Sequence, residues 1–189
     1  MANLCDTTYQ IIGNEVSIKK LHDYLSDMAK GSVLGRISMF DIYENLGFKK
    51  DYYRRGMIYD VTKCNDNHLS IHTETAWDGC HELIKAMVAT FDDGLDVAYI
   101  EVENGMCIYN VHNTDSYDFD AKYYVNAWDD EQGGCCDDYY PSLPPVIESF
   151  CEMFDYDRGD RTDEEMLKVI KDYKFEDGSY FYVNEFVFV

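Results

Sequence analysis

Basic residues are scarce in this chain, and the shortage is concentrated after its first third. The 189 residues hold 16 Lys and Arg against 37 Asp and Glu, a formal net charge of −21 at pH 7. Residues 1–57 carry eight basic and seven acidic side chains, whereas residues 58–189 carry eight basic and thirty acidic ones. Because nucleic acid is bound through Lys and Arg that neutralise phosphates, this deficit argues against direct binding of nucleic acid.

Long apolar runs and the marks of secretion are also missing. No apolar run approaches the ~18–20 residues of a membrane span, and residues 1–6 lack the basic and apolar segments of a signal peptide. We therefore expect an intracellular protein that has no membrane partner. The seven cysteines contain no Cys-x-x-Cys pair and are expected to be reduced thiols: Cys5, Cys64, Cys80, Cys107, Cys135, Cys136 and Cys151.

Catalytic and metal-binding motifs are absent or incomplete. The sequence has no GxGxxG, no P-loop, no GxSxG and no HExxH, and the five histidines do not have metal-site spacing. Residues 155–160 resemble the start of a calcium loop, but the glycine comes one position early and Met166 stands where the loop needs Glu. We therefore expect a protein that is not an enzyme, with no catalytic residues, no cofactor and no metal site.

What the chain has instead is acidic residues interleaved with aromatic ones. Segments such as Tyr117-Asp118-Phe119-Asp120 and Asp137-Asp138-Tyr139-Tyr140 are typical of this pattern, and the chain holds 17 Tyr. Disordered acidic segments are poor in aromatic residues. The pattern therefore indicates carboxylates on the solvent side of ordered structure.

The hydrophobic pattern predicts an α+β fold. Its order is strand, helix, two strands, helix and strand, as in the split βαβ unit of ferredoxin-like domains, with an antiparallel sheet. We expect this domain over residues 1–127 and an acidic C-terminal extension of helices and a strand over 128–189, packed on the same core. The predicted helices are 15–30, 39–46, 79–91, one after Pro141 and one after Thr162; the predicted strands are 9–12, 57–62, 69–75, 96–103, 106–112, 122–127 and 180–189.

Two stretches resemble a known family. They are Ala2-Asn3-Leu4-Cys5 followed by a strand, and the segment from Leu69 to Thr75-Ala76-Trp77 followed by a helix. Over residues 1–111 the chain is similar to the YubB-type ferredoxin-like domain of plasmid, phage and gut-bacterial proteins. The resemblance implies that fold and a mobile genetic element as the source, and hence the cytoplasm of a bacterial host. It implies no catalytic residues.

The charge pattern leads to a hypothesis about function. Same-face carboxylates on a strand or helix lie about 5–7 Å apart, so rows of them approximate the phosphates of DNA. We predict a non-enzymatic phage protein that mimics DNA and blocks a basic nucleic-acid-binding defence protein. An anti-CRISPR protein acting on a Cas9-type effector is the first version, and an antirestriction protein is the second. The predicted partner-binding residues are Asp115, Asp118, Asp120, Asp129, Asp130, Asp137, Asp138, Asp155 and Asp157.

Two other classes of function remain open at this point. A cluster of Asp and Glu could hold a divalent metal ion for hydrolysis, as in a nuclease. Alternatively, the chain is a protein-binding domain whose partner has no connection with nucleic acid. The first alternative predicts that two or three carboxylates are indispensable, whereas a DNA mimic predicts graded losses.

Overall fold

The chain divides after Phe119. The computed structural model describes residues 3–131 and 133–189, and it separates into two compact units. Unit 1 runs to Phe119 and includes Phe188–Val189, and unit 2 is Asp120–Val187. Together the described residues form five α-helices and two sheets, so the mixed α and β class is as predicted. No helix in these residues is both long and apolar enough to cross a membrane.

Unit 1 holds the first ten elements, and unit 2 most of the rest. Unit 1 contains β1 (Leu4–Ile12), α1 (Glu15–Lys30), a short 3-10 turn (Val33–Gly35), β2 (Ile37–Ser38), α2 (Met39–Asn45), β3 (Gly56–Asn65), β4 (His68–Ala76), α3 (His81–Phe91), β5 (Asp96–Glu103) and β6 (Ile108–His112). Unit 2 contains β7 (Tyr123–Asp129), β8 (Gly134–Tyr140), α4 (Leu143–Met153), α5 (Asp163–Asp172) and β9 (Tyr180–Glu185). The last strand is β10 (Val187–Phe188).

The larger sheet has the strand order β10-β6-β5-β1-β4-β3-β2. Strand β1 lies between β4 and β5 and is antiparallel to both, with Tyr9 opposite Ile71 on one side and Tyr99 on the other. Alternation along the strands puts these three side chains on the same face. They pack there in one buried cluster with apolar residues of α1 and α3, which include Leu21, Leu25, Leu83, Ile84 and Met87.

The smaller sheet, β8-β7-β9, has a separate core. Val125 and Ala127 of β7 and Phe181 of β9 pack against one face of α4 and one face of α5. Phe150 of α4 is fully buried and has four aromatic neighbours. Sequence placed the domain boundary after residue 127, which would cut through β7; the contacts place it ahead of this strand. Unit 2 has an apolar cluster of its own. The packing of a C-terminal extension over residues 128–189 on the core of the first domain stays a prediction.

Capping signals in the sequence located two helices well. Asn14 accepts a hydrogen bond from the Ser17 N–H at 3.0 Å, and α1 spans the predicted residues. Thr162 and Glu165 form a capping box at the start of α5, since each side chain accepts a hydrogen bond from the backbone N–H of the other residue, and this helix begins after Thr162 as predicted. Helix α2 also begins where predicted, at Met39.

Three local predictions need correction. The β5–β6 connection was predicted as a two-residue turn, but Glu103 pairs with Ile108, so that four residues form the loop. Strand β8 was not predicted. The final predicted strand, 180–189, is two strands in different sheets. It breaks at Phe186, which is buried and donates its N–H to the Lys122 carbonyl at 2.9 Å.

Removing the capping box should weaken unit 2 measurably. Thr162→Ala leaves the Glu165 N–H without its acceptor, and we expect a loss of about 1 kcal/mol in the free energy of unfolding. Lys168→Ala on the exposed side of α5 serves as the control, with a change within about 0.5 kcal/mol. Urea denaturation followed by circular dichroism measures both. Equal effects of the two substitutions would contradict a role for the cap.

Candidate functional site

Unit 2 contains a groove with a volume of about 700 Å³ in which carboxylates and aromatic rings meet. This lies within the range of about 300–1,000 Å³ that is typical of ligand pockets. The lining includes five carboxylates, from Asp129, Glu131, Asp155, Glu176 and Asp177. Among the other described residues, Met153, Phe154, Tyr173, Lys174 and Phe175 also line it. We call this feature the acidic groove.

Hydrogen bonds fix part of the acidic groove. Asp129, the last residue of β7, is only 5% exposed, and its Oδ1 accepts the Glu131 N–H at 3.0 Å. Asp177 accepts the Ser179 N–H at 3.0 Å, and the Ser179 hydroxyl oxygen accepts the Asp130 N–H at 3.0 Å. Hydrogen bonds from the Ser179 backbone and side chain lower the pKa of Asp177, which keeps this carboxyl ionised.

The aromatic side of the acidic groove is a run of packed rings. The ring of Phe175 lies 4.8 Å from that of Phe154 and 4.8 Å from that of Tyr173, measured between centroids. Tyr173 is 40% exposed, so one ring of this run is open to solvent. Aromatic faces and carboxylates both attract cations, and a guanidinium group can use both at once. The acidic groove is therefore suited to an Arg or Lys side chain.

The structure distributes the nine predicted binding residues over both units. Asp115 and Asp118 belong to unit 1, and the other seven belong to unit 2. Two of them, Asp129 and Asp155, line the acidic groove. Asp137 and Asp138 are consecutive on the edge strand β8, so their side chains point to opposite faces. The exposed members are Asp115, Asp118, Asp120, Asp130, Asp137, Asp138, Asp155 and Asp157.

Asp129 departs from the expectation of a solvent-facing carboxylate. It is buried because it ends β7 beneath the following turn, where it accepts the Glu131 N–H. Three other carboxylates of the acidic groove, those of Glu131, Glu176 and Asp177, were not among the predicted binding residues. Glu131 follows the end of β7, and Glu176 and Asp177 precede the start of β9. These strand ends are far apart in the sequence, and only the pairing of β7 with β9 brings them together.

Residues 155–160, which resemble the start of a calcium loop, are held in place by two arginines. The Arg161 guanidinium donates to the Asp157 carbonyl at 3.2 Å and to the Arg158 carbonyl at 2.8 Å. Arg158 in turn pairs with Asp163 at 2.6 Å. A calcium loop would direct such carbonyls at the ion. The local geometry therefore favours a loop whose carbonyls are bound by its own arginine side chains.

Unit 1 contains a second group of polar side chains, which the sequence did not reveal. Asp78 precedes α3, His81 opens this helix, and Glu101 lies on β5. Their ligand atoms all lie within 4.8 Å of one another. We call these three residues the DHE cluster. One signal was present in the sequence: Glu101 shares the alternating face of β5 with the core residues Val97 and Tyr99, an unusual place for a carboxylate.

Neither family models, curated proteins nor solved structures give a match to this chain. The resemblance to the YubB-type domain therefore stays a prediction. Of the residues that carry it, Ala2 lies outside the described part of the chain. Trp77 is 41% exposed and has a positive φ of 76°.

Proposed function

We propose that this protein inhibits a bacterial nucleic-acid-binding defence protein by docking unit 2 onto its basic surface. A Cas9-type effector is the first partner to test and a restriction enzyme the second, so that the protein would act as an anti-CRISPR or antirestriction DNA mimic. The observation that carries the proposal is the acidic groove, where five carboxylates and three aromatic rings line one cavity.

The chemistry of the acidic groove supports a basic partner. Arg side chains that bind DNA phosphates in the partner are bidentate donors, and carboxylates offer them the same two-oxygen geometry. The aromatic rings add contact area and cation–π attraction that phosphates lack. Tyr and Arg are also the residue types that contribute most to binding energy in protein interfaces.

Long-range electrostatics point in the same direction. Residues 120–187 carry 18 acidic and six basic side chains, a net charge of −12. A field of that sign speeds the encounter with a positively charged channel and slows the encounter with nucleic acid. Both effects favour a competitor of DNA.

For unit 1 we propose a supporting role built on a ferredoxin-like core. Strands β1, β3, β4 and β5 and helices α1 and α3 follow the order of a split βαβ unit. The antiparallel pairing of β1 with β4 and β5, and of β3 with β4, supports this assignment. A mobile genetic element as the source follows from the YubB-type resemblance alone.

Competition with DNA tests the proposal. The full chain is added to a Cas9–guide RNA complex, and in parallel to a restriction enzyme, before labelled target DNA is added. We expect loss of DNA binding that weakens as the salt concentration rises, because exposed charges are screened. Unchanged DNA binding by both enzymes at low salt would refute the DNA-mimic proposal.

A matched pair of charge variants tests the role of the acidic groove. Glu131→Gln, Asp155→Asn and Glu176→Gln together remove three charges from its lining, and Asn tolerates the positive φ of residue 155. We expect inhibition to weaken roughly tenfold or more, as for several rim charges of about 0.5 kcal/mol each. Asp41→Asn, Glu44→Gln and Asp93→Asn remove three exposed charges from unit 1 and should change it much less. Equal losses in both triple variants would mean that only net charge matters.

A metal-dependent hydrolase or nuclease is a second candidate. Its ligands would come from the DHE cluster, since a histidine and two carboxylates are residue types that can hold a catalytic metal ion. Incubating the chain with DNA or a cyclic dinucleotide and Mn²⁺ tests it. Hydrolysis that persists in Asp78→Asn would exclude this cluster as the active site.

A further inference from the structure

We propose that Asp78, His81 and Glu101 form a binding site for a divalent first-row transition-metal ion in unit 1. The site uses none of the carboxylates of the acidic groove. The docking proposal for unit 2 and the metal site can therefore succeed or fail independently.

The spacing and type of the ligand atoms suit such an ion. The atoms lie within 4.8 Å of one another. Ligands at about 2.0–2.2 Å around one ion lie about 3–3.5 Å apart. His81 Nε2 and Glu101 Oε2 are in direct hydrogen-bond contact, so the ion would replace this hydrogen bond, with these two side chains moving slightly apart and the exposed Asp78 side chain rotating toward them. One imidazole with two carboxylates suits Mn²⁺, Fe²⁺, Co²⁺ or Zn²⁺ better than Ca²⁺ or Mg²⁺, which prefer oxygen ligands alone.

Hydrogen bonds hold His81 and Glu101 in place through the atoms that a metal ion would not bind. The Tyr9 hydroxyl lies 3.0 Å from His81 Nδ1, which leaves Nε2 facing Glu101. The Asn110 amide donates to Glu101 Oε1 at 3.2 Å, which leaves Oε2 facing His81. The Tyr99 ring stacks on the imidazole with 3.9 Å between centroids and fixes its plane. Partners of this kind orient metal ligands in known sites.

The backbone also makes room for the DHE cluster. A Cβ on Gly79 would lie 2.5 Å from the His81 ring and 2.8 Å from Glu101 Oε2, so only glycine lets the loop approach both side chains. Asp78, which directly precedes this glycine, is exposed, whereas Glu101 is only 1% exposed. A cation can therefore enter from the Asp78 side.

Electrostatics favour a cation at the DHE cluster. The carboxylates of Asp78 and Glu101 lie close to each other and to the His81 imidazole, which concentrates negative charge at this point. A divalent ion bound between the two carboxylates would offset their negative charge. With three protein ligands the ion would keep open positions for water.

Titration with Mn²⁺ alone tests the proposal, because Mn²⁺ binds thiols weakly and the chain has exposed cysteines. Chelator-treated full-length protein is titrated and free Mn²⁺ is followed by electron paramagnetic resonance, with thermal melting as a second readout. We expect one tightly bound ion per chain and a higher melting temperature. Tyr9→Phe should weaken binding about 10- to 100-fold.

Two ligand variants and one control decide the outcome. Asp78→Asn changes an exposed side chain, so that it should fold normally, and His81→Gln removes the nitrogen ligand. Both should abolish the tight ion, whereas Asp93→Asn, an exposed acid elsewhere in unit 1, should bind like the unaltered chain. Absence of a tight ion in the unaltered chain, or a tight ion that persists in folded Asp78→Asn and His81→Gln, would overturn the proposal.

Discussion

Replacing Phe150 with alanine is expected to lower the free energy of unfolding of unit 2 by about 3–5 kcal/mol. The ring is fully buried and lies 5.3–5.5 Å, between centroids, from the rings of Phe154, Tyr156, Tyr173 and Phe181. Its removal therefore takes away contacts to the segments that follow α4 and α5 and to β9 at once. Since Phe154 and Tyr173 also line the acidic groove, we expect its shape to be lost with the core.

The two tryptophans allow each unit to be followed separately. Trp77 belongs to unit 1 and Trp128 to unit 2. In the Trp77→Phe background, Phe150→Ala should shift the denaturant midpoint that Trp128 fluorescence reports. Tyr182→Ala, a truncation of a side chain that is 60% exposed in the same unit, is the control and should cost less than about 1 kcal/mol. A similar shift in both variants would show that Phe150 is not central to this core.

Local signals in the sequence were sufficient for most helices but not for every strand. Helix α1 begins at an Asn cap and ends at Gly31, so its bounds follow from side-chain chemistry within a few residues. Strand β8 begins Gly134-Cys135-Cys136-Asp137-Asp138, and glycine and aspartate are depleted in strands. Its pairing with β7 comes from tertiary structure, which overrides this composition.

The candidate sites were predictable only in part, for a related reason. The sequence indicated that acids and aromatic rings would share a surface, and Asp129 and Asp155 do line the acidic groove. Glu176 and Asp177 reach it through the loop before β9, which no local pattern connects with β7. The DHE cluster joins residues up to 23 positions apart through the packing of α3 on β5, so that its spacing in the sequence does not resemble a motif.

Glu101→Ala is expected to cost about 2–4 kcal/mol, measured with a chelator present so that no metal contributes. In the metal-free chain the His81 Nε2–H donates to Glu101, and the Asn110 amide donates to the other carboxylate oxygen. Alanine leaves both donors without their acceptor and adds a cavity beside a fully buried Tyr9. Guanidinium denaturation in the Trp128→Phe background, where Trp77 reports on unit 1, measures the loss.

Glu101→Gln should cost much less, about 1 kcal/mol, because histidine can exchange its tautomer. The glutamine oxygen still accepts from Asn110, and its amide group then donates to His81 Nε2. The ring proton moves to Nδ1 and donates to the Tyr9 hydroxyl oxygen, which lies 3.0 Å away. ¹⁵N NMR of His81 should show protonated Nε2 in the unaltered chain and protonated Nδ1 in Glu101→Gln. Equal destabilisation by Ala and Gln, with no change of tautomer, would show that hydrogen bonding through His81 does not stabilise unit 1.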